Sequence, residues 1–281
     1  MKRKNLFIAL VAIFGVLFSV DAAMAKMSFS DYQMSSPGTQ KVLRLPEAAR
    51  HSNVISLGES IDPQSGKIVE GYAIIHRKDE KAKPNWVKDK APKDVDSTCY
   101  EFLAKGTKWK TLEDWVVNPS NVAGLDENYV LGNLGVDISK WEAAAGRDIL
   151  GSGSMDYNTT ISDLGSMDSR NAVYFANIAD TNAIAVTYIW GIFGGAPSKR
   201  MLVEWDQVYD DVKFAWSSIG SLTAMDFESI ATHELGHSVG MGDLYESGCG
   251  EQTMYGYASE GETKKRTLEP GDVLGISSLY R

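Results

Sequence analysis

The stretch that decides the fold is His233-Glu234-Leu235-Gly236-His237-Ser238-Val239-Gly240-Met241-Gly242-Asp243. Residues four apart on a helix lie on the same face, so His233 and His237 can reach a single metal ion. Glu234 then lies beside the metal without binding it, where it can take a proton from the attacking water. This pattern predicts a metal-dependent hydrolytic site on a helix.

Residues upstream of the two histidines support the helix. Thr223 with Asp226 resembles a capping box, which predicts that the helix begins near residue 226. Apolar side chains then recur at helical spacing, at Phe227, Ile230, Ala231 and Leu235.

The residues after His237 complete the predicted metal site. Gly240 can adopt a left-handed conformation that ends the helix and turns the chain, which brings Asp243 round as a third ligand. Three protein ligands leave one coordination position open, and an open position is typical of catalytic rather than structural zinc. Two of the only four histidines in the chain lie in this motif, which argues against a chance match.

The motif resembles the zinc signature of the metzincins, HExxHxxGxxH, with Asp243 in place of the third histidine. Further on, residues 253–257 (Thr-Met-Tyr-Gly-Tyr) resemble the methionine-containing turn of that family, and residues 266–272 resemble the opening of the last helix in bacterial and archaeal matrixin-like peptidases. The resemblance implies a zinc endopeptidase with His233, His237 and Asp243 as ligands, Glu234 as general base and acid, and Met254 as the floor beneath the metal.

The same resemblance suggests how a substrate binds. Residues 183–193 resemble the edge strand that binds an extended protein or peptide substrate by β-augmentation, although a strand buried inside the sheet is the alternative. Tyr255 and Tyr257 are candidates for lining the substrate pocket. The acidic residues Asp206, Asp210 and Asp211 could help to bind Ca²⁺, but a solvated acidic turn is the simpler interpretation.

The order of predicted elements favours an α+β fold for residues 98–281. A helix over residues 139–145 ends at Gly146, strands follow at 172–176, 183–193 and 201–205, and the motif helix comes next. With the family resemblance, we expect a metzincin-like zincin catalytic domain in which a twisted sheet lies over the active-site helix. A small C-terminal subdomain would hold Asp243 and the Met-turn.

The N-terminus has the composition of a secretory signal. Residues 1–25 combine a basic start, an apolar run and a small-x-small cleavage site, so we expect a secreted, extracytoplasmic protein without stable membrane insertion after cleavage. Residues 98–281 carry 13 basic and 26 acidic side chains, and the whole chain has a net charge of −9. Such an acidic surface argues against nucleic acid as a partner.

Residues 26–97 have a different composition. Strand-like runs at 53–57 and 68–75 flank a turn at 62–66, which predicts a hairpin. Residues 76–96 are rich in lysine and poor in apolar side chains, which is typical of a linker. We therefore expect a pro-segment or accessory unit, with His51 and His76 either exposed to solvent or satisfied by hydrogen bonds.

The two cysteines allow two interpretations. A disulfide between Cys99 and Cys249 suits an exported chain with an even cysteine count. A free Cys99 that binds the zinc, as in the cysteine switch of matrixin pro-segments, fits the neighbouring sequence poorly. For the whole protein, the alternative to a peptidase is a secreted binding or adhesion protein whose zinc site is structural or vestigial.

Overall fold

The structure is a computed structural model that describes residues 42–43, 45, 52–78, 99–160 and 165–281. The predicted signal peptide, His51 and most of the predicted linker lie outside these residues. Within the described part of the chain, no helix is both long enough and apolar enough to span a bilayer.

The architecture is a mixed sheet of eight strands, with helices against one face. Its hydrogen-bonded order is β2-β3-β7-β8-β6-β4-β5, and β1 pairs with the end of β6. The strands are β1 (Val42–Leu43), β2 (Val54–Ile61), β3 (Ile68–Arg77), β4 (Trp115–Val117), β5 (Gly153–Met155), β6 (Asn171–Ile178), β7 (Ala183–Ile192) and β8 (Met201–Asp210). A separate two-stranded pair joins β9 (Trp216–Ser217) to β10 (Met225–Asp226).

The direction of the strands changes across the sheet. β4, β5, β6 and β8 run parallel to one another, whereas β7 is antiparallel to β8, β3 to β7, and β2 to β3. The predicted strand at 183–193 is therefore present as β7, but it is paired along both edges. In this structure it is the buried strand of the two alternatives.

Alternation along the strands divides the core into two layers. On the helix side, Ile74, Phe175 and Ile189 pack in a cluster that includes residues of all three helices. On the opposite face, Ile75 and Val186 belong to a second cluster built from the strands alone. Because β3 contributes to both layers, side chains on both faces of that strand are buried.

In the part of the chain that the structure describes, three α-helices pack against the sheet: α1 (Glu127–Ala145), α2 (Phe227–Ser238) and α3 (Pro270–Tyr280). The sequence predicted only the last part of α1. The helix begins earlier because Asp126 caps it, accepting a hydrogen bond from the Tyr129 amide, and it ends at Gly146 with φ of 72° as expected. Trp141 of α1 donates its indole N–H to the carbonyl of Thr232, which fixes α1 against α2.

The N-terminus of α2 differs from the predicted capping box. Asp226 itself is the N-cap and accepts a hydrogen bond from the Ser229 amide at 3.0 Å, so Thr223 does not cap the helix. The Asp226 carboxylate also pairs with Arg266. The helix is thus fixed at its start by a residue from the C-terminal part of the chain.

The predicted hairpin near the N-terminus is confirmed as β2 and β3. The turn between them is closed by a hydrogen bond from the Gly66 amide to the Asp62 carbonyl, and Gly66 has φ of 66°. β3 continues to Arg77, which is two residues into the stretch predicted as a linker. A domain boundary near residue 98 stays a prediction, but β3 is hydrogen-bonded along its length to β7.

A disulfide joins Cys99 to Cys249, and both residues are buried. It links the start of the segment that leads into β4 to the loop before the predicted Met-turn. With both sulfurs in this bond, Cys99 has no free thiolate to bind a metal, so the structure favours the disulfide over the cysteine switch.

We expect loss of this disulfide to destabilise the fold strongly. The cysteines are 150 residues apart in sequence. In the chain-entropy model, closing so long a loop raises the free energy of the unfolded chain by about 5 kcal/mol. The double variant Cys99→Ser/Cys249→Ser should lose about 2 to 5 kcal/mol of unfolding free energy, measured by urea denaturation. The reduced wild-type protein is the control and should unfold at the same urea concentration as the variant. An unchanged midpoint for both would contradict this account.

Candidate active site

Two histidines of α2 and one aspartate after it converge on a buried point. The Nε2 atoms of His233 and His237 lie 3.2 Å and 3.4 Å from the same Oδ1 atom of Asp243. Gly240 makes this approach possible because it adopts φ of 106°, in the left-handed region that favours glycine. A Cβ atom at this position would also lie only 2.9 Å from the carbonyl oxygen of Thr107.

Backbone carbonyls fix the orientation of both imidazole rings. Nδ1 of His233 lies 2.7 Å from the Thr253 carbonyl oxygen, and Nδ1 of His237 lies 3.0 Å from the Met241 carbonyl oxygen. Each Nδ1–H therefore donates to a carbonyl, which leaves the lone pair of Nε2 free and directed at Asp243. This is the arrangement in which two histidines are ready to bind a metal.

The three converging atoms fit a divalent metal. The Nε2 atoms and Asp243 Oδ1 are buried and, apart from their contacts with one another, have no hydrogen-bond partner among the described residues. Two nitrogen ligands and one carboxylate oxygen are the donor set of many catalytic zinc sites. The fit with zinc thus rests on the chemistry of the donors and on their lack of other partners.

The electrostatics of the three residues agree with this assignment. Burial, reinforced by the ammonium of Lys265, lowers the pKa of His233 to about 3, so its ring is neutral. Although burial opposes ionisation of Asp243, the adjacent His237 and His233 hold the pKa of its carboxyl well below its usual range. Against the effect of burial, the Asp243 carboxylate raises the pKa of His237.

Glu234 is fully buried next to the ligands but does not converge on the same point. Its Oε2 accepts a hydrogen bond from the hydroxyl of Thr187 on β7, and its Oε1 lies 2.9 Å from Nδ1 of His76 on β3. Burial raises the pKa of Glu234 to about 7. A carboxyl group with a pKa near neutrality can both accept and return a proton.

The sequence left two interpretations of His76, exposure to solvent or satisfaction by hydrogen bonds. The structure excludes exposure. His76 is completely buried, and its ring packs against that of His233 at an angle of 34°, with centroids 4.0 Å apart. Its Nε2 lies 3.2 Å from Nζ of Lys265, a buried lysine that also donates to the Tyr255 carbonyl. Burial lowers the pKa of His76 well below its usual value, so the neutral ring donates from Nδ1 to Glu234 and accepts from Lys265 at Nε2.

The segment that resembles a Met-turn lies directly beneath α2. Met254 is fully buried, and a Cβ atom on Gly236 would come within 2.2 Å of its sulfur. The turn is held by the buried carboxylate of Asp272, which accepts the backbone N–H groups of Thr253 at 2.8 Å and Met254 at 3.2 Å. Asp272 thus fixes both Met254 and the carbonyl that orients His233.

Comparison with known proteins assigns the chain to a family. The family described as Matrixin matches residues 137–281, just over half of the 281 residues. The chain belongs to the Matrixin family. No curated protein matches it. Among solved structures, metalloproteinase-II from Bacteroides fragilis is similar at 10% identity and a TM-score of 0.33, over 76% of this chain and 74% of that one.

The Matrixin assignment and the mixed sheet with three helices confirm the predicted α+β fold of zincin type. The assignment also supports a metallopeptidase that depends on zinc, with proteins or peptides as substrates. The matched region includes α2, Asp243 and the Met-turn. It does not include the hairpin that carries His76.

The roles of Tyr255 and Tyr257 as pocket residues stay predictions, and a third tyrosine lies closer to the metal ligands. Tyr257 packs edge-on against Tyr245 and Tyr255, with ring centroids 5.4 Å and 5.7 Å away. Neither Tyr255 nor Tyr257 is among the described residues that line the cavity beside Asp243. Tyr245 does line it, and its hydroxyl donates to Asp243 Oδ2 at 2.8 Å.

The acidic residues considered for calcium accept hydrogen bonds from backbone N–H groups of residues that are distant in the sequence. Asp206 accepts the N–H of Ala172, Asp210 that of Ile178, and Asp211 that of Val122. Across the described ranges, groups of three side chains able to bind a metal occur only around α2. Calcium therefore stays an untested prediction, with no support from these carboxylates.

Sequence reasoning missed three residues that touch Glu234 or its neighbours. Thr187 is the polar residue in an otherwise apolar run, and this interruption could have indicated it. His76 comes at the end of the alternating pattern of β3. That pattern can be seen in the sequence, but His76 lies outside the family motif. Lys265 lies in a cluster of charged residues, and no feature of the sequence distinguishes it from an exposed lysine.

We expect Gly236→Ala in this matrixin to destabilise the site, because its Cβ would meet the Met254 sulfur at 2.2 Å and Trp141 at 2.7 Å. Overpacking of this kind typically lowers the unfolding free energy by about 1 to 3 kcal/mol. The matched control is Gly132→Ala on the exposed side of α1, where a Cβ meets nothing within 4 Å. That substitution should stabilise the protein by up to about 1 kcal/mol through helix propensity. Thermal and urea denaturation measure both, and equal effects at the two positions would refute close packing beneath α2.

Proposed function

We propose that the protein is a secreted zinc endopeptidase that hydrolyses peptide bonds in an extended substrate. The observation that carries this proposal is the convergence of His233 Nε2, His237 Nε2 and Asp243 Oδ1, with both Nδ1 atoms held by carbonyls. Asp243 is the third ligand in this proposal. When bound there, zinc polarises the scissile carbonyl and makes water more acidic.

Glu234 has the position and the protonation behaviour of the general base. It lies beside the ligands without joining them, and its burial brings its pKa to about 7. Thr187 holds Oε2, so Oε1 is the oxygen that would take the proton from the attacking water and pass it to the leaving amine. This carboxylate moves protons, whereas the imidazoles and Asp243 hold the metal.

Secretion and the extended mode of substrate binding are further parts of the proposal. The signal-like residues 1–25 support export, and the net charge of −9 disfavours nucleic acid as a partner. The alternative, a secreted binding or adhesion protein with a structural or vestigial zinc site, has no use for Glu234, since a structural site needs no unligated carboxylate. Zinc analysis combined with hydrolysis of a quenched peptide library separates the two, on secreted protein assayed before and after limited proteolysis.

Replacing Glu234 with Gln should abolish turnover and leave zinc bound, because the carboxylate carries protons and is not a ligand. The expected loss in kcat is about 10² to 10⁴, the range for a general base. Glu251→Gln, at a carboxylate that is 79% exposed, is the control and should behave as wild type. Zinc content by mass spectrometry and peptide turnover are the measurements. A Glu234→Gln variant that keeps more than about a hundredth of the activity would rule out this role.

Replacing Asp243 with Ala should lower zinc affinity and turnover together, whereas Asp243→His should keep the metal because imidazole is also a good zinc ligand. Competition with a chelator measures the affinity of both variants. Asp148→Ala, at an exposed site, is the control. Full zinc occupancy in Asp243→Ala would mean that another side chain is the third ligand, and Glu246 would be the first to test.

A further inference from the structure

We propose that the β2–β3 hairpin is a built-in inhibitor of the peptidase: β3 occupies the place of an extended substrate along β7, and its residue His76 blocks Glu234. This inference rests on the proposed peptidase function. It goes beyond the expected pro-segment or accessory unit at residues 26–97 because it names the strand, the register and the side chain that keep the enzyme latent.

The pairing between β3 and β7 uses the edge that a substrate would need. β8 takes one edge of β7, and β3 runs antiparallel along the other from Glu70 opposite Gly191 to Arg77 opposite Ala183. An extended peptide can add to a sheet only where backbone N–H and C=O groups are unpaired. While β3 is in place, β7 has no free edge beside the metal ligands.

Alternate side chains of β3 point into the cleft as those of a bound peptide would. Ile74 packs in the core layer on the helix side, whereas Ala73 and Ile75 pack on the opposite face. Tyr72 and Ile74 also line a cavity of about 310 Å³ that reaches Asp243. Because side chains alternate along a strand, Tyr72, Ile74 and His76 lie on one face in consecutive positions along the cleft.

His76 contacts Glu234, the carboxylate that acts as general base in the proposed reaction. Its Nδ1 is 2.9 Å from Glu234 Oε1, and Thr187 is bonded to the other oxygen. Both carboxylate oxygens therefore have partners within the chain. A water molecule that must give its proton to Oε1 would have to displace His76.

The hairpin also contacts the opposite wall of the cleft. Arg77 forms a parallel bridge with Tyr257, the last residue of the Met-turn segment, and Lys78 pairs with Glu260 just after that segment. Asn53, just before β2, donates to the Tyr245 hydroxyl at 3.0 Å, and Tyr245 donates to Asp243. The hairpin thus bridges the sheet above the site and the C-terminal segment below it.

The sequence supplies a means of release. Residues 79–98 join the hairpin to Cys99 and include five lysines, Lys81, Lys83, Lys88, Lys90 and Lys93. Cleavage in this segment would leave the hairpin attached to the rest of the protein by noncovalent contacts alone. The hairpin also lies outside residues 137–281, the part that matches the Matrixin family.

The test uses the full chain with the recognition sequence of a highly specific protease inserted between Lys88 and Asp89. Two properties are measured before and after cutting: turnover of quenched peptides that lack the recognition sequence, and binding of acetohydroxamate to the Co²⁺-substituted protein by visible absorption. If the closed form holds about nine chains in ten or more, release should raise turnover about tenfold or more and tighten probe binding by a similar factor. His76→Ala in the uncut chain should tighten probe binding by less, because β3 still covers β7. Gln64→Ala, in the exposed hairpin turn, is the matched control and should change neither property.

The outcomes separate the inference from the proposed function. Tighter probe binding after cutting, without turnover, would support the blocked cleft and refute the peptidase. Equal turnover and equal probe binding before and after cutting, with the hairpin released as judged by size-exclusion chromatography, would refute the inhibitor and leave the peptidase standing. Unfolding of the cut chain, seen by circular dichroism, would also refute it, because the hairpin would then be a structural part of the sheet.

Discussion

The two hydrogen bonds from imidazole Nδ1 atoms to backbone carbonyls are the constraint on which the rest of the site depends. They tie α2 to Thr253 in the Met-turn and to Met241 after Gly240. Each bond fixes a tautomer and aims Nε2 at Asp243, and each also fixes a segment outside the helix, namely the Met-turn and the turn that leads to Asp243. The left-handed turn at Gly240 and the carboxylate of Asp272 can be understood as means of keeping those two carbonyls in place.

Many polar groups can be buried around α2 because most of them form hydrogen bonds with other groups of the chain. Asp272 accepts backbone N–H groups from the Met-turn and from the start of α3, and Glu234 is bonded to Thr187 and His76. A buried carboxylate without such partners would be strongly destabilising. Among the described residues, the three converging ligand atoms have no hydrogen-bond partner apart from one another, and such a cluster of buried atoms is what a metal site requires.

The sequence was most informative where chemistry depends on local spacing. His233, His237 and the turn at Gly240 could be predicted because helix period and glycine conformation are local properties, and the disulfide could be predicted from count and compartment. His76, Thr187 and Lys265 could not, because they reach Glu234 or His233 from β3, β7 and the C-terminal segment, far away in sequence. The sequence also left open whether β7 is an edge strand or a buried strand, since its pairing with β3 depends on the register of a hairpin more than a hundred residues earlier.

The position of the hairpin explains why the proposed peptidase would be latent only while the chain between the hairpin and Cys99 is uncut. A strand tethered to its own sheet binds at a high effective concentration, so ordinary strand pairing and the contacts of Ile74 and His76 are enough to keep the cleft closed. The same contacts are much weaker as an intermolecular complex, because a released segment is diluted into solvent and regains conformational freedom. An inhibitor of this kind needs no special affinity for the metal. It needs only a side chain that reaches Glu234 while the tether is intact, and His76 at the end of β3 meets that requirement.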